Sequence, residues 1–264
     1  MNLKKELCGI VVLMSVSYSA ISQVDEIPAN NGSIKITPLV HSSLQIEYNQ
    51  LVIQVDPWGI VDLSDALPAD IILITDDIGH HLDKDAISKL RKSETVILMP
   101  ASGKPHIPDG EILANGEKTE IFGISIESIP AYDIIEGPPA HPKGDANGYL
   151  ITLGGKRLYL AGVTECVPEL LELGRIDVAF MPMNIPPGRM TPAASAACTK
   201  LLNPDVVYLY HYDQGYTARV ARSTSPAPVL PGGISIKESL ELFEKELQGS
   251  GIDFYDRNWY PMPN

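Results

Sequence analysis

Apolar residues arrive in short runs along most of this chain, and the spacing of those runs changes partway. After a polar lead-in at 23–33, residues 34–40, 43–48 and 51–55 are β-rich runs with only brief breaks, which predicts a meander with tight turns. The runs at 71–75 and 95–99 are continuously apolar, as in strands buried on both faces. Between them, 83–92 reads as a helix: Ala86, Ile87 and Leu90 share a face and Asp83 stands near its start. Strands follow at 118–122, 125–129, 148–153 and 157–161, with Gly154-Gly155 marking a hairpin between the last two. Residues 167–173 and 192–202 read as helices, 177–181 and 206–210 as strands, and 235–248 as an amphipathic helix. Hairpins thus come first and alternation with helices later. Two sheets covered by outer helices form the economical architecture, an α/β αββα sandwich in one domain over 23–264.

The first 22 residues do not fit that scheme. Lys4 and Lys5 precede a mostly apolar stretch at 9–16, and small residues then stand at signal-peptidase spacing, with cuts fitting after Ser19 or Ser22. The stretch is too short to span a bilayer. A cleaved export signal is expected, and with it a periplasmic or secreted location. Either cut removes Lys4, Lys5 and Glu6, which takes the formal charge from −13 to −14. So acidic a surface repels nucleic acid and anionic membranes, leaving a small molecule as the expected partner. Cys8 leaves with the signal. Cys166 and Cys198 remain, either bridged in an oxidising compartment or as separate buried thiols.

The candidate chemistry lies after the 71–75 run, where Thr75-Asp76-Asp77-Ile78-Gly79-His80-His81-Leu82-Asp83 packs ligand-type side chains between a strand and a helix. This loop resembles the T-H-x-H-x-D-H loop of the metallo-β-lactamase superfamily, especially its small-molecule hydrolases, the ascorbate-phosphate lactonase-like proteins among them. Other segments resemble that family's landmarks in order: Val40-His41-Ser42-Ser43, Asp56-Pro57-Trp58, Pro130-Ala131-Tyr132, His141-Pro142-Lys143-Gly144, Ala161-Gly162-Val163-Thr164 and Tyr210-His211-Tyr212. The similarity spans about residues 34–214, and five of the six histidines fall on it, His106 alone lying outside.

The resemblance implies a two-metal site, from which this sequence departs. The four ligand places of the loop hold Asp76, Ile78, His80 and His81, and the place of the metal-bridging aspartate holds Val163. Isoleucine and valine have no donor atom. His141 and His211 stand where the later ligands belong. Two arrangements are open: one divalent metal (zinc or manganese) on His80, His81 and His211, with Asp76 or His141 handling the water's proton, or no metal and an Asp76 pair with His141 or His211 as general base. Adjacent histidines reach one ion only through a bent backbone, which Gly79 permits. Tyr132, Lys143, Glu165 and Asp213 are candidate substrate contacts. His41 reads as a packing or supporting group, Asp56 as a brace for the Trp58 turn behind the site, 181–192 as a rim or as surface packing, and 255–263 as a cover for the fold or an interface. The expectation is a hydrolase of a small ester, lactone or related bond. The alternative is a non-catalytic relative that keeps the pocket for binding.

Overall fold

The computed structural model describes residues 23–134, 141–186, 188–222 and 233–261, so the expected signal at 1–22 lies outside the described residues. Two seven-stranded sheets face each other. The first is built in chain order from β1 (Asp25–Ala29), β2 (Gly32–Val40), β3 (Ser43–Tyr48), β4 (Leu51–Val55), β5 (Ala69–Leu73), β6 (Arg91–Met99) and β7 (Glu111–Ile112). The second holds β8 (Lys118–Ile121), β9 (Ile124–Ala131), β10 (Ala146–Leu153), β11 (Lys156–Leu160), β12 (Val178–Pro182), β13 (Val206–Tyr210) and β14 (Asp253–Phe254). Each sheet opens with antiparallel hairpins and finishes with parallel strands. Parallel strands need crossovers, and α1 (Lys84–Leu90) and α2 (Pro192–Leu202) supply two of them.

Alternation decides which side chain faces where. In β5, Ile71 and Leu73 join the core between the sheets and Ile72 faces outward beneath Ile87 of α1, with Ala69 brought to that outer cluster across a register shift between Ala69 and Ile71. Helix α1 begins where the Asp83 carboxylate accepts the Asp85 and Ala86 amides, and stops at Leu90 because Arg91 already pairs with Ala69 in β6. Helix α2 starts with Thr191 as cap and Pro192 in its first turn, and ends on Asn203 in the left-handed conformation. A reciprocal Ser235–Glu238 capping box opens α4 (Ile236–Leu247). At the Gly154-Gly155 hairpin, a Cβ on Gly154 would meet Ala29 and Tyr48 within 2.9 Å, so this tip is fitted against the first sheet.

Several expectations are corrected. The polar lead-in contains β1, an edge strand whose inward groups are Ile27 and an Asp25 carboxylate neutralised by Arg257. Residues 167–173 form only a tight 3-10 turn, Pro168–Glu172. A short helix, α3 (Tyr216–Arg222), appears where none was expected. Met181, Met183 and Met190 are core residues rather than a surface rim. Of the two states left open for Cys166 and Cys198, the disulfide is the one present, and it ties the turn after β11 to α2 with Cα atoms 5.6 Å apart.

Candidate metal centre

The chemistry gathers where strands of both sheets end. His41 follows β2, Asp56 follows β4, the 75–81 loop follows β5, and His211 follows β13. Three of these residues bend in the left-handed region: His41 (φ 60), Asp56 (φ 42) and His211 (φ 54). Such backbone costs roughly 1–3 kcal/mol per residue and collects at functional sites. It is held here by main-chain bonds: His211 N–H to His41 O at 2.9 Å, and Asp56 N–H to Leu73 O at 2.9 Å. Gly162 is similarly obligatory, since at φ 68 a Cβ would sit 2.7 Å from Asn147 O, and its N–H meets Tyr210 Oη at 2.6 Å.

Four imidazoles form the centre. His41, His80, His81 and His211 each present a nitrogen, and these atoms lie within 4.8 Å of one another. The turn closed by His81 N–H and Leu82 N–H on Ile78 O brings the adjacent His80 and His81 rings to 4.5 Å. Gly79 is not in a left-handed conformation, so the bend does not draw on glycine's freedom. The His81 Nδ1–H donates to Asp56 Oδ2 at 2.7 Å, and Thr75 fixes that carboxylate through its amide (2.8 Å) and hydroxyl (2.6 Å). This leaves His81 Nε2 as the inward lone pair, 2.9 Å from His211 Nε2. A carboxylate behind a histidine sets the tautomer and basicity that metal ligation uses.

The site electrostatics favour bases without protons. Burial, then neighbouring imidazoles, pushes His80 down to about 3 and holds His41 and His211 well below the usual imidazole range. Burial also opposes charge on His81, but Asp56 and Asp76 outweigh it and raise that histidine. The donor set fits a metal for a further reason. His41 Nε2 and His80 Nε2 are buried and meet no hydrogen-bonding partner among the described residues, a condition costing about 1–3 kcal/mol for each group if nothing takes the lone pair. An all-imidazole donor set suits zinc, copper, iron or nickel better than manganese, which prefers oxygen.

A second group flanks the imidazoles. Asp76 Oδ2 lies 4.0 Å from His141 Nε2, and the other His141 nitrogen, Nδ1, meets Asp133 Oδ2 at 3.2 Å. Arg189 joins Asp133 at 2.8 Å and Glu165 at 2.6 Å. Burial raises the Asp76 carboxyl above its ordinary value, against the pull of His81, the Asp77 amide and His141.

Of the residues singled out in the sequence, His80, His81 and His211 meet in one cluster, and Asp76 pairs with His141 beside it. Tyr132 and Lys143 meet through Glu169: the Tyr132 hydroxyl donates to it at 3.0 Å, and Lys143 pairs with it above the tyrosine ring. Glu165 accepts the Ile134 amide and binds Arg189. Asp213 lies apart, its carboxylate paired with Arg219 and the Gly215 amide. Asp56 braces Thr75 and His81. Ile78 is exposed and Val163 buried. The sequence reading missed His41 as a cluster member, although a polar residue ending an apolar strand beside a family landmark was a usable signal. It also missed Asp133, one residue past Tyr132, and Arg189, which no pattern marks.

The chain matches the Beta-lactamase superfamily domain over residues 35–211 and belongs to that family. It is 30% identical over 196 residues to a UPF0173 metal-dependent hydrolase of Thermococcus kodakarensis, covering 68% of this chain and 85% of that one. A second UPF0173 metal-dependent hydrolase, from Thermococcus onnurineus, is 28% identical over 198 residues, with 68% and 85% covered. Among solved structures, a candidate metal-dependent hydrolase from Parabacteroides distasonis superposes with a TM-score of 0.74 at 34% identity, covering 89% of this chain and 98% of that chain. A metallo hydrolase from Ignicoccus hospitalis shares the fold, with a TM-score of 0.65 at 21% identity and 86% and 96% covered. The two sheets and their outer helices are the αββα sandwich of the metallo-β-lactamase fold.

Proposed function

We propose that this protein is a metal-dependent hydrolase of a small ester, lactone or related bond, working with one metal held by His41, His80, His81 and His211. The observation that carries the reading is a pair of buried nitrogens, His41 Nε2 and His80 Nε2, with no hydrogen-bonding partner among the described residues, inside a four-imidazole cluster. The names of the relatives support the reaction class. Ile78 and Val163 support a single ion, because neither can ligate a second. His41, His80, His81 and His211 would hold the ion, which would supply a Lewis acid and, with a further position open to water, would lower that water's pKa towards neutrality.

The flank handles the proton. Asp133 holds the His141 ring through Nδ1, so Nε2 faces Asp76. A buried carboxyl with a raised pKa beside an imidazole accepts a proton from attacking water and passes it to the leaving group. Tyr132, Lys143 and Glu165 line the same side and orient the substrate. The disulfide and the N-terminal segment support a periplasmic or secreted location. The acidic balance supports a small-molecule partner over nucleic acid or membrane.

Elemental analysis of purified protein, before and after incubation with zinc and with manganese, tests the centre. About one zinc per chain is expected, the stoichiometry of a single site. Two ions per chain refute the mononuclear reading. No metal under either condition refutes the metal reading, and leaves the Asp76–His141 pair or a binding role.

A further inference from the structure

The residues after 254 lie beyond the matched family region, yet they reach the metal centre. Trp259 packs its buried ring edge-on against Phe180 and Tyr210, and its carbonyl accepts the His41 amide at 2.9 Å. Tyr260 is enclosed by Tyr212 and Tyr216, with ring centroids at 4.9 and 5.1 Å. Its hydroxyl oxygen accepts the Asp213 amide at 3.0 Å and lies 3.1 Å from His41 Nδ1. The segment is fastened further by Tyr216 Oη to Pro261 O at 2.6 Å, and by two bonds from Arg257 to the Asp25 carboxylate.

His41 has a left-handed backbone and two ring nitrogens of opposite fate. Nδ1 faces the Tyr260 oxygen; Nε2 faces inward, buried and without a hydrogen-bonding partner among the described residues. A neutral imidazole carries a single N–H, so the nitrogen that donates to tyrosine leaves the other with a lone pair. Were Nε2 to hold the proton, it would place a hydrogen among three other imidazoles and could not ligate. The Tyr260 oxygen has room for a second acceptor bond beside the one from Asp213.

We propose that Tyr260 is a positioning residue of the metal centre: its phenol oxygen accepts the His41 Nδ1 proton, fixes the tautomer, and aims Nε2 at the ion. This rests on the metal reading above. The tail thereby completes the centre by supplying what Asp56 supplies to His81, with a neutral oxygen in place of a carboxylate.

Zinc affinity of the full chain, by competition with a chromophoric chelator, tests this in wild type, Tyr260→Phe and Tyr216→Phe. Each substitution keeps its ring; only the first removes an atom touching His41. Tyr260→Phe is expected to weaken zinc by about 10- to 100-fold, as loss of an outer-shell partner does, with the metal-free protein melting close to wild type. Tyr216→Phe is expected to leave affinity unchanged. Equal loss in both variants, or none in Tyr260→Phe, overturns the proposal. Should Tyr260→Phe fail to fold, 15N NMR of histidine-labelled wild type with zinc reads the tautomer directly: a protonated His41 Nδ1 is expected, and a protonated Nε2 overturns the proposal. If wild type itself takes up no zinc, the metal reading fails first, which is distinct from a wild type that binds zinc without using Tyr260.

Discussion

The imidazole cluster and the carboxylate flank sit side by side, but they are built from opposite materials. In the cluster, burial and mutual proximity strip protons from His41, His80 and His211, so the site accumulates lone pairs that the protein itself does not use. In the flank the chain supplies donors to its carboxylates: Arg189 and the His141 amide to Asp133, Arg189 and the Ile134 amide to Glu165. Asp76 sits at the seam, raised by burial and only loosely joined to His141. A cluster short of protons receives a cation; a seam carboxyl with a shifted pKa exchanges a proton. On the proposed reading, binding and proton transfer fall to different residues, which makes the contrast separable by substitution.

The largest expected effect comes from the cluster. His211→Ala should abolish both zinc uptake and hydrolysis while sparing the fold, read by metal analysis, turnover and circular dichroism. Retained turnover would dissolve the proposed centre. Next come Asp76→Asn and Asp133→Asn, which should keep about one zinc per chain and lower turnover by about 100- to 10,000-fold, the usual range for lost general acid–base catalysis. Loss of zinc in these variants would erase the distinction between the two groups. A smaller effect is expected away from both. Cys166→Ser with Cys198→Ser opens a bridge between residues 32 apart and should cost about 2–4 kcal/mol in chemical denaturation, with zinc stoichiometry unchanged.

The smallest effect is a pH dependence remote from the site. Asp177 is largely buried, which disfavours its charge, but the Arg157 amide and the Lys156 and Arg175 side chains outweigh burial and hold it below the ordinary carboxylate range. A depressed carboxyl adds stability above its unfolded pKa and loses it as pH falls through the folded value. The gap in melting temperature between wild type and Asp177→Asn should therefore be present near neutrality and close as acidification passes below the ordinary carboxylate range. A gap that persisted in acid would mean that packing rather than charge accounts for it.

How much of this was legible in the sequence depended on whether the signal was local. Strands β3, β4 and β13 were readable to the residue because β3 alternates polar and apolar positions, β4 and β13 are mostly apolar runs, and turn-forming or polar residues bound each. Helix α2 was equally plain, opening on Thr191-Pro192. Strand β1 was not, because its inward polar group, Asp25, is tolerated through Tyr208 and Arg257, 183 and 232 positions away. The site divides the same way. His80, His81 and His211 stood on family landmarks, and Asp76 lay in a visibly ligand-rich loop. Tyr260 carries no local mark at all: its relation to His41 spans 219 residues and exists only once both sheets are closed. His41 was misread for a related reason, since a histidine ending a strand gains ligand geometry only when His211 arrives from the other sheet.

The order of the strands has a wider consequence. Residues up to Ile112 make one whole sheet, and residues from Lys118 make the other, with an exposed turn at Gly116 between them. A chain opened at that turn would yield two fragments, each with one apolar face and an incomplete set of imidazoles: three from the first fragment, His211 from the second. Only with both fragments together would four inward nitrogens meet. The molecule thus has the layout of a two-part sensor, in which metal capture would report that its halves have met.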